Sequence, residues 1–95
     1  MALVGETVHV DRFGNLISNL TSQHMQEVRD VTKRPNALIR IASHKIETLV
    51  GSYSEGHPLI PHALINSDGR IEIFLKEASA ADLLKVGKGA RIEVS

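Results

Sequence analysis

Three short stretches carry side chains able to recognise a polar small molecule: Asp11-Arg12-Phe13-Gly14-Asn15, Gly51-Ser52-Tyr53-Ser54-Glu55-Gly56 and Asn66-Ser67-Asp68-Gly69-Arg70. The first offers a carboxylate, an aromatic ring and a carboxamide, and the second a phenol ring among small residues. The third offers a carboxamide, a hydroxyl and turn amides. A heteroaromatic base needs a ring to stack on and a carboxamide that can donate and accept along its edge. An ammonium group needs a carboxylate, and a carboxylate needs hydroxyl or amide donors. If the three loops converge, the set suits a nucleoside bearing an amino-acid tail. Each stretch also has a plainer reading as turn chemistry, with Gly14 as a glycine turn and the hydroxyl or amide of Ser67 closing a hairpin.

Other chemistries find little support in the residues. Of the five histidines, at 9, 24, 44, 57 and 62, only His57 and His62 are near in sequence. They are separated by two prolines and joined by no acidic residue at a ligand spacing, so no metal site is expected. The absence of cysteine excludes disulfides and thiolate metal sites and fits a reducing compartment. Ser67 lacks the Gly-x-Ser-x-Gly setting of a nucleophile elbow, and no general base has a credible partner. Catalysis by these residues alone is therefore not expected. Eleven basic residues balance eleven acidic ones, and the three Phe and Tyr residues are too few for a base-stacking platform, so no nucleic-acid partner is expected. The opening residues lack a basic, apolar leader, and no run approaches the ~20 apolar residues of a membrane span. The chain reads as a cytoplasmic protein with no membrane association.

The elements that must hold these loops follow from periodicity and turn signals. Thr7–Val10 and Leu16–Leu20 read as strands on either side of "DRFGN". Thr21 or Ser22 is placed to cap a helix over "SQHMQEVRD", after which "TKRPNA" is a loop. "LIRI" and "HKIETLV" read as strands joined through "IASH", and the two glycines and two prolines of "GSYSEGHPLIP" mark a shaped loop. "HALIN", the "SDG" turn and "RIEIFL" form the clearest hairpin, with Ile71, Ile73 and Leu75 inward. "SAADLLKVG" predicts a short helix with a serine cap and a terminal glycine, and "ARIEV" a last strand. Ninety-five residues suffice for one modest core, so a single mainly β domain is expected. Its predicted form is a small antiparallel β-barrel or folded-over sheet of six to seven strands with one or two short helices.

Taken together and in this order, "VHVDRFGNLISNL", "GSYSEGHPL" and "LINSDGRIEIFLKEASAADLLKVGKGARIEV" resemble the carboxy-terminal domain of the S-adenosyl-L-methionine hydroxide adenosyltransferase family, which includes the fluorinases and chlorinases. The resemblance runs through nearly all of residues 1–95 and is weakest over 22–37. It implies a domain that follows a larger amino-terminal α/β domain. It also implies a ligand held between the amino-terminal domain of one subunit and the carboxy-terminal domain of its neighbour in a trimer. By the same resemblance Phe13 and Asn15 face the adenine, Asp11 the methionine ammonium, and Ser67 the methionine end, while Tyr53 packs against the adenine ring. No separate cofactor is implied, and S-adenosylmethionine is the substrate or ligand.

Three positions depart from that family's pattern. Asp68 stands where halogenase members commonly carry an arginine that meets the ligand carboxylate, which speaks against halogenase-type binding. Lys76 and Glu77 stand where an asparagine and a polar or basic residue usually approach the adenine edge. Two expectations result. In one, the chain is an adenosyl-binding half-site completed by an amino-terminal domain for hydrolysis of S-adenosylmethionine to adenosine and methionine. In the other, it is a free-standing oligomeric β-module acting in protein–protein interaction without catalysis.

Overall fold

The computed structural model describes residues 1–47 and 49–95. In chain order its elements are β1 (Leu3–Val10), β2 (Leu16–Thr21), α1 (Ser22–Thr32), β3 (Ile39–Ile41), β4 (His44–Ile46), β5 (His62–Ile65), β6 (Arg70–Phe74), α2 (Ala80–Leu84) and β7 (Arg91–Val94). The strands make one antiparallel sheet in the order β4-β3-β7-β1-β2-β6-β5. Its two ends approach each other where Leu49 bridges Ala63 of β5 in parallel, with the Val50 N–H donating to the Ala63 carbonyl at 2.8 Å. The result is the nearly closed, barrel-like form expected from the strand count.

Period-two alternation explains the interior. Leu16 pairs with Ile73, Ile39 with Val94 and Ile41 with Ile92, so apolar side chains meet across neighbouring strands. All six are at most 1% exposed, and Met25 and Val28 of α1 and Leu84 of α2 join the same cluster. β6 is the exception to a one-sided strand. Ile71 and Ile73 face the barrel, yet Glu72 and Phe74 on the opposite face are also buried, at 3% and 1% exposure. The segment 51–61 lies over that outer face: a Cβ on Gly56 would come within 2.6 Å of Phe74. A single 3-10 turn, Tyr53–Glu55, brings the Tyr53 ring edge-on to Phe74 with centroids 5.1 Å apart.

Several boundaries differ from the sequence reading, each for a local reason. β1 starts at Leu3 because its first half pairs with β7, a partner distant in sequence. α1 begins where expected, capped by Thr21, but His24 takes the place of the usual Glu or Gln in the capping box, its Nδ1 accepting from the Thr21 N–H at 2.9 Å. That helix continues past Asp30 to Thr32 and closes on Lys33, whose N–H donates to the Arg29 carbonyl at 2.8 Å. The expected strand over 44–50 is only His44–Ile46, and its position 48 lies outside the described residues. α2 ends at Leu84 and is capped by Lys85, at φ 57°, rather than by Gly87, because the Lys85 and Val86 amides both close back on the Ala81 carbonyl. Among the described residues no helix is long and apolar enough to cross a membrane.

Candidate functional site

The segment between β1 and β2 is a turn built around one carboxylate. Asp11 Oδ1 accepts from the backbone N–H of Phe13 at 2.9 Å and of Asn15 at 3.0 Å, while the Gly14 N–H donates to the Asp11 carbonyl at 3.0 Å. Asp11 Oδ2 has no hydrogen-bond partner among the described residues and stays available to a ligand cation. Gly14 is required twice over. Its φ is +81°, and a Cβ would fall 1.9 Å from Ser79 Oγ, because the turn docks on the start of α2 with the Ala81 N–H donating to the Gly14 carbonyl at 2.9 Å. Phe13 is pushed outward by this arrangement and is 63% exposed, with the Arg12 guanidinium 4.9 Å from its ring centroid.

Asn15, the last residue of the turn, is buried and points its amide nitrogen at Glu72 Oε2, 3.3 Å away. Glu72 gathers two more donors. The Tyr53 hydroxyl donates to Oε2, and Asn66 Nδ2 donates to Oε1 at 3.2 Å. The Tyr53 ring is half-exposed, but its hydroxyl reaches inward to this carboxylate. Burial, the hydrogen bond to Glu72 and the negative charges of Glu72 and Asp11 together push the tyrosine pKa up from 10.0 to about 12. Asn66 is also committed at its other end, with Oδ1 accepting from the Asp68 and Arg70 N–H groups at 3.0 and 3.1 Å. It is this carboxamide, rather than the Ser67 hydroxyl, that closes the β5–β6 turn. Ser67 is exposed, and its hydroxyl makes no hydrogen bond to the described residues.

Four of the five residues singled out from the sequence, Asp11, Phe13, Asn15 and Tyr53, line one groove of about 780 Å³. Phe74 and Leu75 add apolar surface to it, and the segment from Lys76 to Ser79 forms a further part of its wall. Its mixed lining of rings, a carboxylate and a carboxamide is the kind that holds a flat heteroaromatic molecule. Ser67 is not among them. It lines a second hollow of about 430 Å³ together with Asp68 and Glu72, and Tyr53 borders both hollows. Lys76 Nζ donates to the carbonyl of Ser54, another residue of the groove lining, at 3.3 Å.

Glu72 escaped the sequence reading. Its strand alternates so clearly that Ile71 and Ile73 define the inside, which assigns Glu72 to solvent by default. The available signal was the Gly- and Pro-rich segment 51–61 just before the hairpin, which had to lie over something. Among the described residues no three His, Cys, Asp or Glu side chains gather as metal ligands would.

A family model described as the SAM hydroxide adenosyltransferase C-terminal domain matches residues 5–93. The fold also resembles that of a crystal structure of an uncharacterized conserved protein from Thermotoga maritima, with a TM-score of 0.77 and 20% identity over 98% of this chain and 35% of that one. A conserved hypothetical protein from Thermus thermophilus gives a TM-score of 0.70 and 20% identity over 97% of this chain and 34% of that one. The chain thus spans about a third of the length of these two structures. No curated protein matches its sequence significantly.

Proposed function

Because the chain belongs to the SAM hydroxide adenosyltransferase C-terminal domain family, we propose that it forms one wall of an adenosyl-binding site. An amino-terminal α/β domain completes that site for hydrolysis of S-adenosylmethionine to adenosine and methionine. The observation that carries the reading is the convergence of Asp11, Phe13, Asn15 and Tyr53 on a single groove. In this reading the adenine packs against the Tyr53 and Phe13 rings, Asn15 meets its edge, and the free oxygen of Asp11 takes the ammonium of the methionine part. Ser67 serves the methionine carboxylate only if the ligand reaches past Tyr53 into the second hollow. Asp68 in that hollow opposes a carboxylate there, which favours a weaker grip on the amino-acid end than on the nucleoside. In this reading the groups that activate water belong to the completing domain, supplied by a neighbouring subunit of a trimer. The cysteine-free sequence fits a reducing compartment, and we extend the proposal to the cytoplasm.

An open groove leaves much of a ligand in water, so the 95-residue chain alone should bind adenosine no more tightly than about millimolar. Titration calorimetry with adenosine and S-adenosylmethionine, with and without an amino-terminal α/β domain of the family, tests this. Heat should appear at usable affinity only when the two domains are mixed. No heat in either arrangement overturns the proposal.

The second reading, an oligomeric β-module in protein–protein interaction without catalysis, is favoured by the exposure of large apolar groups in segment 51–61. Leu59 is 79% exposed and Ile60 52%, in the same segment as the half-exposed Tyr53. Light scattering that shows a monomer at every accessible concentration removes its self-association form.

A further inference from the structure

We infer that Glu72 is a positioning residue: by holding the Asn15 amide nitrogen it turns the Asn15 carbonyl oxygen to the groove, so that the site selects a purine with a 6-amino group. The inference rests on the adenosyl-binding reading above. Glu72 is 3% exposed and has no ion-pair partner among the described residues. A carboxylate so buried must be held by hydrogen-bond donors, and three separate segments supply them: the β1–β2 turn, segment 51–61 and the β5–β6 turn. A carboxylate only accepts, so the nitrogen end of the Asn15 carboxamide must face it. Ordinarily the two ends of an asparagine amide are interchangeable, and here the chemistry of the neighbour decides between them.

What remains is the Asn15 oxygen. It accepts no hydrogen bond from the described residues, and Asn15 lines the groove. The groove edge therefore presents an acceptor that an exocyclic amino group can satisfy. A 6-oxo purine sets an oxygen against that oxygen and forfeits a hydrogen bond, which should weaken binding about tenfold. Glu72 does not itself line the groove; it acts there through Asn15 and Tyr53, which do.

Two measurements on the 95-residue chain test this. In the first, adenosine and inosine are titrated at millimolar concentration and followed by backbone amide chemical shifts, for wild type and Glu72→Gln. Wild type should prefer adenosine about tenfold, and Glu72→Gln should bring the ratio towards one, because the released amide can turn its nitrogen to the groove. A wild-type ratio of one, or a ratio that Glu72→Gln leaves unchanged, overturns the selectivity. In the second, ultraviolet absorbance titration follows Tyr53, the single tyrosine in a chain without tryptophan. Ionisation should occur near pH 12 in wild type and fall towards 10 in Glu72→Gln, whether or not a nucleoside binds. Ionisation of wild-type Tyr53 near its ordinary value overturns the network even if the variant fails to fold. If wild type binds neither nucleoside while the tyrosine shift depends on Glu72, the selectivity falls and only the Glu72 anchor stands, and the adenosyl reading is decided by the two-domain calorimetry above.

Discussion

At the scale of single residues, the groove is held by two devices, a left-handed glycine and a buried carboxylate. Gly14→Ala must force a Cβ into Ser79 and hold alanine at positive φ, so it should destabilise the fold by more than about 1 kcal/mol in urea denaturation. Tyr53 makes stability depend on alkaline pH. Its folded pKa of about 12 lies above the unfolded value of 10.0, so the folded chain retains a proton that the unfolded chain loses. That contribution is whole below pH 10 and disappears as pH rises through 12. Denaturation of wild type and Tyr53→Phe across this window should show wild type losing more stability than the variant, and parallel curves would contradict it. The residues of "DRFGN" were legible because carboxylate, ring and carboxamide are each distinctive. Glu72 was not, since nothing local in "RIEIF" says that its outward face will be covered.

At the scale of elements, the site depends on α2, a helix of only five residues. So short a helix has little stability of its own, and packing and its cap must hold it. Ser79 Oγ accepts from the Asp82 N–H at 3.1 Å, and the Ser79 backbone and side chain are what Gly14 packs against. Ser79→Ala should therefore cost about 1 kcal/mol from the lost cap. It should also shift the amide resonances of residues 13–15, because the β1–β2 turn and α2 support each other. A nuclear magnetic resonance spectrum in which only residues near 79–82 move would separate the two. The β5–β6 hairpin was readable from its Ser-Asp-Gly turn. The identity of the closing group was not, because Asn66 and Ser67 are both turn formers and only geometry shows that Asn66 takes both bonds.

At the scale of the whole molecule, segment 51–61 carries both the groove residues Tyr53 and Ser54 and the exposed apolar side chains of Leu59 and Ile60. Leu59→Asp removes no buried contact, since the side chain is 79% exposed, and should leave the melting temperature within a degree or two of wild type. On the proposed function it should weaken association with the completing amino-terminal domain, and on the second reading it should reduce self-association. Light scattering of the chain alone and of the mixture distinguishes these outcomes. A variant that changes neither would mean that this apolar surface is not an interface.

What the sequence determined by itself is whatever is encoded locally or by period: strand alternation, turn glycines, the Thr21 and Ser79 caps, and the chemical character of the three loops. Those features, and the ordered motifs that resemble one family, carried the fold class and four residues of a common groove. Only the tertiary structure decided which residues meet. The pairing of β1 with β7, the Leu49–Ala63 bridge that nearly closes the sheet, and the cover that segment 51–61 lays over Glu72 all join positions far apart in the chain. Such contacts depend on how the sheet curls in three dimensions, which no window of residues records. The same curvature puts Ser67 on the far side of Tyr53 and makes a buried glutamate the hub of the site.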